Sequence, residues 1–214
     1  MAVICPTVTA FSEDEYRAQM ELVQQFAKRI HIDLMDGDFA PTVSPPLDKV
    51  WWPPELVADI HIMYRRPADH LERLVELKPN LVVFHAEAEV DHAAFAAKLH
   101  DAGIKTGLGV LQDTTINGVK PILDSFDHVM IFSGNLGHHG GSAVDFGLLD
   151  KVREVRQLYP QIEIAWDGGI NDQNARQLVE GGIDVLNVGG FIHKAEDPRA
   201  AYEKLNSLIE PRLL

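Results

Sequence analysis

His31 and Asp33 stand one residue apart in the run His31-Ile32-Asp33-Leu34-Met35-Asp36. In a β-strand, residues i and i+2 point to one face, so this imidazole and carboxylate project together. Alone, such a pair is a weak signal, since a buried histidine hydrogen-bonded to an aspartate is common. His61, in Asp59-Ile60-His61-Ile62-Met63, adds a second imidazole, and Asp167, in Trp166-Asp167-Gly168-Gly169, a second carboxylate. Two nitrogen and two oxygen donors suit one divalent transition metal ion: zinc, iron, cobalt or manganese. A metal flanked by two carboxylates could stabilise the enediolate oxygen formed when a proton leaves the carbon beside a carbonyl. If one of Asp33 and Asp167 removes that proton and the other delivers one to the opposite face, the carbon inverts.

Strand-like and helix-like segments alternate along the whole chain. Strands are expected at Ala2 to Val8, Arg29 to Asp36, Ala58 to Tyr64, Leu81 to Glu87, Lys105 to Leu111, Val129 to Phe132, Ile162 to Trp166 and Val185 to Val188. Ser12, with Glu15 three residues on, forms a capping-box pattern for a helix reaching about Lys28. Further helices are expected over Pro67 to Lys78, Asp91 to Ala102, Val119 to Ser125, Asp145 to Leu158, Asp172 to Glu180 and Pro198 to Leu208. Between the second and third strands, Leu47 to Leu56 is a poor helix at best, interrupted by Trp51-Trp52-Pro53-Pro54. Alternation of this kind implies a parallel sheet, and eight units in 214 residues imply a single-domain (β/α)8 TIM barrel spanning residues 1–214. No Gly-x-Gly-x-x-Gly fingerprint of an open dinucleotide-binding sheet follows the first strand.

Barrel active sites lie at the C-terminal ends of the strands. That rule brings His31, Asp33, His61 and Asp167 to one mouth. Phosphate is commonly bound beyond the seventh and eighth strands, where Gly168-Gly169 and Gly189-Gly190 fall. Gly140, Gly141 and Ser142 could close the site from the loop after the sixth strand. Met35, Met63 and Met130 lie near strand ends and could form an apolar layer around the reacting carbon. His85 either faces the site or packs within the barrel. His138 and His139 read as exposed loop or as a closure over substrate. Asp36 faces away from Asp33 by strand parity and reads as a loop-anchoring carboxylate.

The balance of 19 basic and 32 acidic side chains gives a net charge of −13, which argues against nucleic acid and anionic membranes as partners. One cysteine, Cys5, excludes an intramolecular disulfide and fits a reducing cytoplasm. No apolar run reaches membrane-spanning length, and acidic residues at positions 13–15 oppose a signal peptide.

The chain resembles the ribulose-phosphate 3-epimerase family over nearly its whole length. The resemblance is carried by Cys5-Pro6-Thr7-Val8, His31-Ile32-Asp33-Leu34-Met35-Asp36-Gly37, Asp59-Ile60-His61-Ile62-Met63, Phe84-His85-Ala86-Glu87-Ala88, Asp167-Gly168-Gly169-Ile170 and Val188-Gly189-Gly190-Phe191-Ile192. It implies a (β/α)8 barrel and one divalent metal held by His31, Asp33, His61 and Asp167, with Asp33 and Asp167 as the acid/base pair. It also implies interconversion of D-ribulose 5-phosphate and D-xylulose 5-phosphate by a homo-oligomer. Thr7 and His61 join the glycines as substrate-binding candidates.

Three places depart from the family pattern. Pro-Ser in the first strand is Pro6-Thr7, which keeps a hydroxyl. Asn-Pro-Gly-Phe-Gly-Gly-Gln after the sixth strand becomes the longer, proline-free Ser133 to Ser142. Gly-Ser after the eighth strand becomes Gly189-Gly190, without the hydroxyl. These changes bear on the sugar phosphate accepted: the alternatives are epimerisation of another sugar phosphate, for example a hexulose 6-phosphate, and, behind it, a non-catalytic sugar-phosphate binding protein.

Overall fold

A computed structural model describes residues 2–138 and 140–210. The apolar runs become β1 (Val3–Thr9), β2 (Arg29–Met35), β3 (Val57–Met63), β4 (Leu81–His85), β5 (Lys105–Val110), β6 (His128–Phe132), β7 (Glu163–Asp167) and β8 (Val185–Val188). Each strand pairs in parallel with the next, and β8 pairs with β1, so the sheet closes as the alternation predicted.

The helices are α1 (Glu13–Val23), α2 (Leu71–Leu77), α3 (His92–Asp101), α4 (Ile116–Val119), α5 (Leu149–Leu158), α6 (Ala175–Glu180), α7 (Gly190–His193) and α8 (Pro198–Ile209). None among the described residues is long and apolar enough to cross a membrane. Ser12 caps α1 by accepting from Glu15 N at 3.2 Å. Glu15 reaches back to Phe11 N at 2.8 Å rather than to Ser12 itself.

Between β2 and β3 the one helical element is a 3-10 turn, Leu47–Lys49. The proline pairs Pro45-Pro46 and Pro53-Pro54 bracket this stretch. They remove backbone donors and fix φ, which leaves too few residues for an α-helix. The short helix α7 after β8 is an element the strand–helix reading did not include. Its four residues begin at Gly190, with Gly189 at the N-cap.

Period-two alternation divides the core. Outward residues such as Ile30, Ile32 and Leu34 of β2 pack with Tyr16, Met20 and Val23 of α1 in the large cluster between sheet and helices. Inward residues Cys5, Leu81, Val83, Met130, Ala165 and Val185 fill the barrel itself. Complete burial of each large aliphatic side chain contributes about 1.5–3 kcal/mol. At the strand starts, Arg29 Nε donates to Asp59 Oδ2 at 2.6 Å, and its two terminal nitrogens donate to the two Glu163 oxygens at 2.8 Å each. His128 Nδ1 lies 2.8 Å from Glu163 Oε2. A fork of this kind satisfies a guanidinium that burial would otherwise destabilise. It occupies the end of the barrel opposite the C-terminal strand ends.

Candidate active site

Strand register assembles the site. Thr9 of β1 is level with Asp33 of β2, and Asp33 with His61 of β3. Across the barrel, Phe132 of β6 is level with Asp167 of β7, and Asp167 with Asn187 of β8. The four candidate ligands therefore converge, and one donor atom from each of His31, Asp33, His61 and Asp167 lies within 4.8 Å of all the others.

His31 Nε2 is 3.3 Å from Asp33 Oδ1 and 3.3 Å from Asp167 Oδ2. His61 Nδ1 is 2.9 Å from Asp33 Oδ1. Thr9 Oγ1 donates to Asp33 Oδ2 at 2.5 Å. His31 Nε2 and Asp167 Oδ2 are buried atoms with no hydrogen bond of ordinary geometry. Orphaned polar atoms of this kind carry a desolvation cost unless something charged joins them. With two imidazoles and two carboxylates aimed at one point, the donor set fits a divalent cation.

Burial alone would raise the Asp33 carboxyl, but the His31 and His61 imidazoles beside it hold it well below the carboxylate range. Burial would likewise lower His31, yet the Asp167 and Asp33 carboxylates outweigh it and push His31 up to about 10. In the metal-free protein an imidazolium thus supplies the positive charge that the two carboxylates require.

A cavity of about 240 Å³ opens over the carboxylates, and both Asp33 and Asp167 line it. Gly140, Gly141, Ser142, Gly168, Gly169, Gly189 and Gly190 also line it, as do Thr7, Met35 and Met63. Thr7 Oγ1 sits 3.2 Å from Thr9 Oγ1, at the inner end of the cavity's hydroxyl pair. Met130 is placed differently. It is fully buried with Val83 and Ala165 in the barrel interior, below the cavity, because β6 has one further inward residue, Phe132, above it. Phe132 lines the cavity in its place. His61 is also fully buried, behind Asp33, which suits a ligand and not a substrate contact.

The glycine turns have two jobs. Gly168 has φ +110°, and a Cβ there would come within 2.6 Å of Gly134 Cα; a Cβ on Gly169 would come within 2.6 Å of the Ala143 carbonyl carbon. Only glycine lets the turn after β7 press against the backbone of the Ser133–Ser142 loop. Gly140 and Gly190 come close together in the cavity wall: a Cβ on Gly140 would be 3.5 Å from Gly190 Cα and 3.5 Å from Lys194 Nζ. Bare backbone at such a place can approach an anion closely.

Trp166 points outward and donates from Nε1 to Gly168 O at 3.0 Å, which orients the turn carrying Asp167. Ser133 N donates to Asp167 O at 2.7 Å. Asp36 anchors its loop as parity predicted, accepting from Asp38 N, Phe39 N and Arg65 N at 2.7–2.8 Å. His138 lines the cavity, and His139 lies outside the described residues.

Three functional candidates, Thr9, Glu87 and Lys194, were given no role by motif and spacing, and a fourth, His85, was left between the site and the barrel interior. Thr9 is buried against Asp33, at a position the expected end of β1 left out. His85 Nε2 lies 2.8 Å from His61 Nε2, which resolves His85 as a site residue. His85 is fully buried, and burial pushes it down to about 4, with Glu87 opposing that shift. Glu87 stands behind it, with Oε2 at 3.4 Å from His85 Nδ1. Lys194 is the one Lys or Arg lining the cavity among the described residues. A basic residue four positions beyond a glycine turn was the available signal for it.

Comparison with known proteins agrees with this geometry. The ribulose-phosphate 3 epimerase family model matches residues 3–193. The ribulose-phosphate 3-epimerase of Helicobacter pylori (strain J99) is 29% identical over 189 residues, covering 85% of this chain and 87% of that protein. That of Mycobacterium leprae is 33% identical over 183 residues, covering 82% and 81%. Among solved structures, 3-hexulose-6-phosphate synthase superposes with a TM-score of 0.74 over 97% of this chain and 99% of its own, at 16% identity, and so shares the TIM-barrel fold. With its closed barrel and its family model matched almost end to end, this chain is an isomerase that belongs to the ribulose-phosphate 3-epimerase family.

Proposed function

We propose that the chain interconverts D-ribulose 5-phosphate and D-xylulose 5-phosphate by inversion at C3. The observation that carries this reading is the placement of Asp33 on β2 and Asp167 on β7, with β1 and β8 between them, both 3.3 Å from His31 Nε2 and both lining one cavity. Two carboxylates so placed can address a carbon from two sides. One accepts the C3 proton, and the other donates a proton to the opposite face of the enediolate. The groups then exchange roles in the reverse direction.

Bound by His31, Asp33, His61 and Asp167, a divalent ion (zinc, iron, cobalt or manganese) supplies Lewis-acid stabilisation of negative charge on oxygen. Thr9 steadies Asp33 through its hydroxyl. Met35, Met63 and Phe132 exclude water from the reacting carbon, since an apolar wall strengthens charge–charge interactions inside the cavity. Gly168, Gly169, Gly189 and Gly190 cradle the phosphate with backbone N–H groups, with Gly140, Gly141 and Ser142 closing over it and Lys194 at the rim. The single buried cysteine supports a cytoplasmic setting.

A second substrate is favoured by one feature: the Ser133–Ser142 loop lines the cavity and departs from the family pattern in length and composition. A hexulose 6-phosphate is the alternative it raises. The test is proton NMR in D2O with a panel of pentulose and hexulose phosphates. Deuterium incorporation at C3 of the pentulose, lost in Asp33→Asn and in Asp167→Asn, is expected. Exchange confined to a hexulose phosphate would move the assignment to that substrate, and no exchange with any ketose phosphate would sink the epimerase reading.

A further inference from the structure

Two buried polar atoms face each other behind the site. His85 Nδ1 and Glu87 Oε2 lie 3.4 Å apart, and neither has a hydrogen-bond partner. They end a line of four side chains. Asp33 Oδ1 is 2.9 Å from His61 Nδ1, His61 Nε2 is 2.8 Å from His85 Nε2, and His85 Nδ1 then faces Glu87. Glu87 is itself fixed, because its Oε1 accepts from Thr114 Oγ1 and from Leu111 N.

Proton placement along this line has two settings. A neutral imidazole carries one N–H and one lone pair. If His61 holds its proton on Nδ1, it donates to Asp33, His85 must donate from Nε2, and two lone-pair atoms meet at the Glu87 end. If His85 holds its proton on Nδ1, it donates to Glu87, and His61 donates from Nε2 to His85. The His61 Nδ1 lone pair then meets the Asp33 carboxylate. The first setting leaves the orphaned pair at Glu87. The second leaves acceptors together at Asp33, where a cation satisfies both.

We propose that Glu87, acting through His85, sets the tautomer of His61 so that its Nδ1 lone pair is available to a cation shared with His31, Asp33 and Asp167. This rests on reading those four residues as a cation site. Glu87 and His85 are positioning residues, since neither is a member of the ligand set. Partners behind a ligating histidine commonly act in this way, fixing its tautomer and raising its basicity.

Glu87→Gln turns the inference into a measurement. Leu111 N–H can only donate, so the amide oxygen stays at that end and the amide nitrogen faces His85 Nδ1. His85 must then carry its proton on Nε2 and donate to His61 Nε2, which places the His61 proton on Nδ1, against the cation. Zinc is titrated by chelator competition into wild type and Glu87→Gln. Alongside, long-range 1H–15N spectra of zinc-loaded wild type report the histidine tautomers.

Affinity is expected to fall by about 10- to 100-fold in the variant. The spectra are expected to show His61 protonated on Nε2 and His85 on Nδ1. Equal zinc affinity in the two proteins, or a His61 proton on Nδ1 in loaded wild type, overturns the relay while leaving the cation site intact. Absence of zinc binding by wild type overturns the cation site itself, and the relay with it. If Glu87→Gln does not fold, the wild-type tautomers decide alone.

Discussion

Thr9 and Asp33 are joined by a buried hydroxyl–carboxylate hydrogen bond of 2.5 Å between neighbouring strands. Both Asp33 oxygens are engaged: one takes the hydroxyl, and the other faces both imidazoles. Thr9→Val keeps the shape and removes the donor. Hydrogen bonds to charged groups contribute roughly 1.5–3 kcal/mol, so kcat should fall by about one to two orders of magnitude with little change in KM. Thr9→Ser should recover most of that loss. Steady-state kinetics of the two variants decide it, and an unchanged kcat in Thr9→Val would remove Thr9 from the mechanism.

Metal uptake should release a proton. His31 is pushed up to about 10 in the metal-free protein by the Asp167 and Asp33 carboxylates, against its burial, so at neutral pH the incoming ion displaces that proton. Apparent affinity should rise about tenfold per pH unit between roughly pH 7 and 9. Calorimetry in buffers of different ionisation enthalpy counts the proton. The imidazolium's contribution to metal-free stability is complete below the ordinary value of 6.5 and is lost as pH rises through about 10. Chelation should abolish turnover, and a divalent ion should restore it.

Acid should attack the other end of the barrel. Burial would raise Glu163, but the Arg29 fork and His128 hold it below the ordinary 4.5. A depressed carboxylate stabilises the fold above its unfolded value and loses that contribution as pH falls through the folded one. Unfolding free energy should therefore drop from about pH 4.5 downward. Glu163→Gln should be less stable than wild type at pH 7 and show a shallower acid limb. Parallel acid limbs in urea titrations would show that the fork does not set acid stability.

Gly168→Ala should damage both fold and site. The new Cβ would come within 2.6 Å of Gly134 Cα, at a backbone φ of +110° that side chains rarely adopt. The expected cost is about 2 kcal/mol or more, read as a lower denaturation midpoint. A variant of wild-type stability would mean that the loop after β6 yields freely.

Much of the site was legible because strand parity is a rigid rule. His31 and Asp33 had to share a face, and eight βα units had to bring Asp167 round to meet them. His61 followed from the same parity in β3. What parity does not carry is the contact between strands. By register His61 is level with Val83, two residues before His85, so the two rings meet through side-chain reach, with Gly109 opposite His85 at a place where a Cβ would come within 3.2 Å of the ring. Thr9 was missed because β1 runs one residue past its apolar stretch. Met130 was set too high because the position of a residue along a strand fixes its depth, and its side-chain chemistry does not.

The Ser133–Ser142 loop holds Asp167 by its first backbone N–H and rests its Gly134 backbone against Gly168. Its far end lines the cavity through Gly140, Gly141 and Ser142. A change at Gly140, Gly141 or Ser142 therefore alters the cavity wall, whereas a change at Ser133 or Gly134 moves Asp167 itself.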